Sequence, residues 1–127
     1  MSPFCWHDLA AADPAAALRF YEAVFAWTAT VQRANGGSFT RLQSDGRDVA
    51  SMYPLSRAHL ERGVPSHWTA YVRVSGIDAM VCRVREGGGA VIVPPFLVDG
   101  TARIALIEDP VGALLGLWET LHDDPAD

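Results

Sequence analysis

Lysine is absent from this 127-residue chain, so its ten basic side chains are all arginine. They form no cluster, and the formal net charge is −5. The concentrated positive surface that nucleic-acid phosphates call for is therefore missing, which excludes a nucleic-acid partner. Cysteine is scarce as well. Cys5 and Cys82 each fall inside a predicted strand or helix, and two isolated cysteines read as buried thiols rather than a disulfide. No apolar run approaches the roughly 20 residues of a membrane helix, so no membrane association is expected. No basic stretch leads into a hydrophobic core at the N-terminus, which reads as no signal peptide and a cytoplasmic protein. What remains is ordinary for a globular domain: half the residues are hydrophobic and a fifth are charged. The length suits a single domain, 1–127.

The most informative stretch is Phe4 to Trp27. Phe4, Trp6 and Asp8 alternate with Cys5, His7 and Leu9, as in a strand with two different faces. Asp13 and Pro14 then read as the cap and first position of a helix over 14–26. Ala17, Phe20, Tyr21, Val24 and Phe25 fall on one apolar stripe of it. Three short strands follow: 28–32, 38–42 and 48–53. They are separated by a turn around Asn35-Gly36 and a hairpin at Ser44-Asp45-Gly46.

After a proline-containing linker with a possible helical turn around Ser56–Glu61, the pattern returns. A strand over 68–74 leads to Ser75, which with Asp78 three residues on makes a capping-box pattern. A helix follows with Ile77, Met80, Val81 and Val84 on one face, and Gly87-Gly88-Gly89 ends it. Strands are then expected at 90–93 (closed by Pro94-Pro95), 101–108 and 113–118. The intervening turns fall at Asp99-Gly100 and Asp109-Pro110-Val111-Gly112. The fold class is thus α+β: two βαβββ modules whose curved mixed sheets enclose a cup-shaped cavity. Module one covers about 3–54, the linker about 55–66 and module two about 67–120, with a flexible acidic tail at 121–127. Trp6 aligns with Thr69 at the module starts, and Gly46 with Gly112 at the last hairpins.

Several residues carry a family resemblance: Asp13-Pro14, Phe20-Tyr21 and Val24-Phe25-Ala26-Trp27, then Gly87-Gly88, Ala105–Glu108, Asp109-Pro110-Val111-Gly112-Ala113 and Leu117-Trp118. This ordered set resembles the vicinal oxygen chelate superfamily of glyoxalase I, bleomycin-resistance proteins and extradiol dioxygenases, with Ala26 where the family usually has glycine. The resemblance implies a divalent ion held by His, Glu or Gln from the first and last strands of each module. Counting from the helix signature and the turn glycines, those positions fall on Trp6, Ala50, Thr69 and Gly116. None is a usual metal ligand. His7, His67, Glu108 and Glu119 are the other candidates, and each also reads as a surface or rim residue. Asp8, two residues past Trp6, should face inward and pair with Arg41 or Arg73.

With no ligand set, the expected cofactor is none, and a divalent metal is the alternative. Met52, Tyr71 and Trp118 should share the lining with Trp6, Asp8, Ala50, Thr69 and Gly116, a surface suited to a planar or aromatic small molecule. The leading functional expectation is a metal-free binding protein for such a molecule, lodged in the inter-module cavity. Two others stand beside it: a metal-dependent lyase, isomerase or dioxygenase, and a module of a larger assembly whose cup is simply core. The resemblance also implies a homodimer.

Overall fold

The structure is a computed structural model and describes residues 2–34, 37–98 and 102–121. Its elements run β1 (Phe4–Ala11), α1 (Pro14–Phe25), β2 (Thr28–Ala34), β3 (Gly37–Ser44), β4 (Arg47–Pro54), α2 (Arg57–Glu61), β5 (His67–Arg73), α3 (Ile77–Glu86), β6 (Ala90–Val98), β7 (Ala102–Glu108) and β8 (Leu114–Thr120). This is α+β, βαβββ twice, with α2 in the linker. The expected turns at Asn35-Gly36 and Asp99-Gly100, and the tail at 122–127, lie outside the described residues. By contacts the chain divides into two compact units, Trp6–Thr69 and Met1–Cys5 with Ala70–Asp127.

In the unit Trp6–Thr69 the strand order is β2-β3-β4-β1, with β1 parallel to β4 and the other neighbours antiparallel. The β3–β4 hairpin turns on Asp45 and Gly46, both at positive φ (51° and 78°), the geometry that two-residue hairpins favour. The Asp13 carboxylate accepts a hydrogen bond from Ala16 N (3.1 Å) and Pro14 opens α1. The helix ends at Ala26, which is left-handed at φ 57° and donates its N–H to Glu22 O. Leu9, Ala11, Leu42, Ala50 and Met52 form the core, with Ala17, Leu18, Tyr21, Trp27, Ala29 and Val49 against it. The expected α1 stripe is corrected here. Ala17 and Tyr21 reach the core, but Phe20, Val24 and Phe25 are 57%, 54% and 54% exposed.

The other unit repeats the order as β5-β8-β7-β6, again with a parallel first pair. Its core joins Val74, Ile77 and Val81 to Ala105, Ile107 and Leu117. Three expectations change. The Ser75–Asp78 capping box does not form. Gly76 occupies the cap position without a side-chain bond, and the Glu119 carboxylate from β8 accepts from Gly76 N (2.5 Å) and Ile77 N (3.2 Å). Asp78 instead takes a two-pronged hydrogen bond from Arg103 (2.8 and 3.0 Å). Strand β6 does not stop at Pro94-Pro95 but runs on to Val98. As the terminal strand of its order it tolerates missing N–H donors, and its register shifts on both sides of Val93. Cys82, expected buried, is exposed, because it lies away from the Ile77–Val81 side of α3; Cys5 is half-buried, and both thiols are free.

Glu119, expected to point outward as a surface residue, is therefore the cap of α3. Glu119→Ala is expected to lower the unfolding free energy by about 1 kcal/mol, the usual size of a lost N-cap. Glu119→Gln, which keeps the acceptor oxygen, should lose less. Urea midpoints of the two variants check this.

Candidate functional site

Period-two alternation gives each sheet one face packed on its helix and one turned away from it. In the unit Trp6–Thr69, Leu9, Ala11, Ala50 and Met52 take the helix side. Trp6 and Asp8 therefore point the other way, together with Ser51 and Tyr53 on the parallel neighbour, where Asp8 pairs in register with Ser51. The contacts agree. The Trp6 indole N–H donates to Ser51 Oγ (3.0 Å). Burial, and after it the nearby Asp8 carboxylate, push the Tyr53 hydroxyl up to about 12, so Tyr53 is a neutral phenol at any physiological pH. Arg41, across from Ser51 on β3, bonds the Asp48 carboxylate at 3.1 Å.

Ala50 and Met52, expected to line a pocket, thus belong to the α1 core. The counterpart of Gly116 is Ser51. Asp8 and Tyr71 sit two residues past the aligned Trp6 and Thr69, and their parallel partners are Ser51 and Gly116 respectively. Sequence reading missed Ser51 and Tyr53 because it anchored β4 on a turn glycine, and a slip of one residue exchanges the two faces.

In the other unit, Tyr71, Gly116 and Trp118 do share the face away from α3, since Tyr71 pairs with Gly116 and Arg73 with Trp118. Gly116 is not an open corner. A Cβ placed there would lie 2.7 Å or less from three ring atoms of Tyr71, itself 2% exposed. The Tyr71 and Trp118 rings meet edge to face, with centroids 6.0 Å apart. Thr69, on the same alternation as Tyr71 along β5, is buried. Burial pushes the Cys5 thiol up against the opposing charge and hydrogen bond of Arg73, which does not make a thiolate nucleophile.

The divalent ion that the fold brings to mind does not fit these residues. An indole has no lone pair to give. Ser51 Oγ already accepts from that indole, and Gly116 has no side chain and no room for one. Among the described residues no three His, Cys, Asp or Glu side chains gather. Of the other candidates, His7 is exposed, Glu119 caps α3, and the ring of half-buried His67 is bonded through Nδ1 to Pro65 O (2.9 Å).

Helix, sheet order and paired repeat together define a glyoxalase-like fold, and the comparisons agree. The chain belongs to the Glyoxalase/Bleomycin resistance protein/Dioxygenase superfamily, whose model matches residues 6–117. It is similar to the anthracycline biosynthesis protein DnrV of Streptomyces peucetius, 37% identical over 124 residues, 89% of this chain and 45% of that protein. CFP32 of Mycobacterium tuberculosis (strain CDC 1551 / Oshkosh) is 35% identical over 116 residues, 90% of this chain and 44% of that protein. The chain thus spans under half the length of these relatives. Among solved structures, the hypothetical protein BH1468 of Bacillus halodurans C-125 superposes with TM-score 0.70 at 15% identity, covering 97% of both chains. The methylmalonyl-CoA epimerase of Mycobacterium tuberculosis superposes with TM-score 0.66 at 19% identity, covering 94% of this chain and 88% of that one. At those identities the likeness is one of fold. No helix is long and apolar enough to cross a membrane among the described residues.

Proposed function

We propose that this chain is a superfamily member that binds a small planar or aromatic molecule without a catalytic metal. One observation carries the reading. The strand positions from which the superfamily would draw its ligands hold an indole, two hydroxyls and a glycine, and the space above the glycine is taken by a phenol ring. That chemistry suits contact with a flat apolar surface and a few fixed hydrogen bonds, not the holding of a cation. Trp6 and Trp118, both half-buried, are the rings with surface left to offer. The name of the Streptomyces peucetius relative, an anthracycline biosynthesis protein, accords with a ligand containing fused aromatic rings. Bleomycin is a poor candidate, since a large cationic drug favours a strongly acidic groove and the charge of −5 is spread along the chain. The protein works as a homodimer in the cytoplasm on this reading.

The test is a titration of purified protein with an anthracycline, followed by tryptophan emission, before and after dialysis against a chelator. Saturable quenching that the chelator leaves unchanged is expected. Trp6→Ala should weaken it about tenfold, the loss of one stacked face, whereas Trp6→Phe should weaken it less. Stoichiometric zinc, nickel, manganese or iron surviving dialysis would overturn the reading in favour of a metal-dependent lyase, isomerase or dioxygenase.

A further inference from the structure

One cross-strand row runs over the sheet face turned away from α1 in the unit Trp6–Thr69. Asp8 on β1 pairs with Ser51 on β4, Ser51 with Arg41 on β3, and Arg41 with Thr30 on β2. Trp6 leans into this row, because its indole N–H donates to Ser51 Oγ. Phe39, two residues before Arg41 on β3 and half-buried, shares the face by the same alternation. Strands β1 and β3 lie two strand spacings apart, about 10 Å. A few fused rings cover that span, from the indole at one end to the guanidinium at the other.

Arg41 is held in place but not used up. Its Nη1 donates to Asp48 Oδ2 (3.1 Å), and the other Asp48 oxygen accepts from Gln43 Nε2 (3.1 Å). The Gln43 amide oxygen in turn accepts from Thr30 Oγ1 (3.0 Å). These bonds fix the guanidinium. Its Nε, however, is buried with no hydrogen-bond partner, and no bond engages Nη2 among the described residues. Nε and Nη2 make up one of the two forked edges with which arginine takes its acceptors. A buried donor without an acceptor is uncommon and calls for an explanation. The side chain as a whole is 35% exposed, so a molecule laid on the face can reach its end. Asp48 already balances the charge of Arg41, and an incoming carboxylate would be repelled by it. The acceptor that fits is therefore a neutral one.

We propose that Arg41 selects the ligand of this face, and that the ligand is a planar aromatic ketone or quinone whose ring carbonyl accepts from the Nε and Nη2 edge while its rings lie against Trp6. The inference rests on the aromatic-ligand reading and adds the functional group that is recognised. A carbonyl conjugated to the rings lies in their plane, so stacking and the hydrogen bond are made together. Rings without a carbonyl shut Arg41 further from water and leave its donors unmet. That penalty is what discriminates between the two.

Isothermal titration of the full chain with two probes tests it. One is anthraquinone-2-sulfonate; the other is anthracene-2-sulfonate, which has the same ring outline and the same anionic group but no carbonyl. The quinone is expected to bind about tenfold tighter. Arg41→Met should bring the two to within about twofold of each other, by weakening the quinone and leaving the hydrocarbon as it was. Arg41→Lys keeps the charge and loses the fork, so its preference should fall in between. Both variants should keep a urea midpoint close to the parent's, since the ion pair they alter is largely solvated. Trp6→Ala should weaken both probes. Equal affinities in the parent chain would overturn the inference and leave the aromatic-ligand reading standing. So would a loss in Arg41→Met that falls on both probes alike, which would mean that Arg41 meets the sulfonate. If neither probe binds, or if Trp6→Ala binds both as the parent does, the aromatic-ligand reading fails at this face and the inference fails with it.

Discussion

Alanine at Gly116 is expected to cost about 3 kcal/mol of stability, the upper part of the range for forcing extra atoms into a packed interior. The added methyl would press on the Cδ2, Cε2 and Cγ atoms of Tyr71, a ring almost wholly buried with Trp118 at its edge. Rings have no soft end to yield, so the strand or the ring must move. Gly116 is not at positive φ, so conformational strain is not the source of the effect. A double-mutant cycle separates the two causes. Tyr71→Ala alone should cost about 3–5 kcal/mol through the cavity it leaves, but adding Gly116→Ala to it should cost almost nothing, because the methyl enters vacated space. Equal penalties with and without the Tyr71 ring, read from urea unfolding, would show that the ring is not what excludes a side chain at 116. The same logic bears on chemistry: a histidine or glutamate cannot be restored at 116 unless Tyr71 is removed.

The repeat, its element order and the helix boundaries were legible because they rest on local chemistry: Asp13-Pro14 at a helix start, Asp45-Gly46 in a two-residue turn, glycines after α3. What was not legible depends on contacts distant in sequence. Glu119 caps α3 from 42 and 43 residues away, and nothing near Ser75 announces that the nearer capping box will be passed over. Strand β6 runs through two prolines because of its place at the end of a sheet order, which is a property of topology and not of the segment. The stripe on α1 was visible, but its outer half being uncovered was not, since periodicity tells which residues share a side and not how wide the buried sector is.

The misplaced pocket residues trace to loop length. The β3–β4 hairpin spends two residues, 45–46, on its turn, whereas the β7–β8 connection spends five, 109–113, folded around the Asp109 carboxylate, which accepts from Val111 N (3.0 Å) and Ala113 N (2.9 Å). A register shift between Leu42 and Gln43 adds to the mismatch. Aligning Gly46 with Gly112 therefore displaced β4 by one residue against β8.

Met52→Ala makes the consequence measurable and separates the two faces of β4. Met52 is 2% exposed and packs in the core that Leu18 and Tyr21 of α1 complete. Truncation should cost about 2–5 kcal/mol of unfolding free energy, as for other buried methionines and leucines, while leaving the affinity of the folded protein for an aromatic ligand within about twofold. Ser51→Ala should do the reverse. It removes no apolar packing and about 1 kcal/mol of hydrogen bonding, but it takes away the acceptor that helps orient the Trp6 indole. Ligand affinity should therefore fall more than stability. If Met52→Ala instead weakened binding and left the urea midpoint in place, β4 would present its other face to the ligand, and the assignment of Ser51 as the counterpart of Gly116 would have to be abandoned.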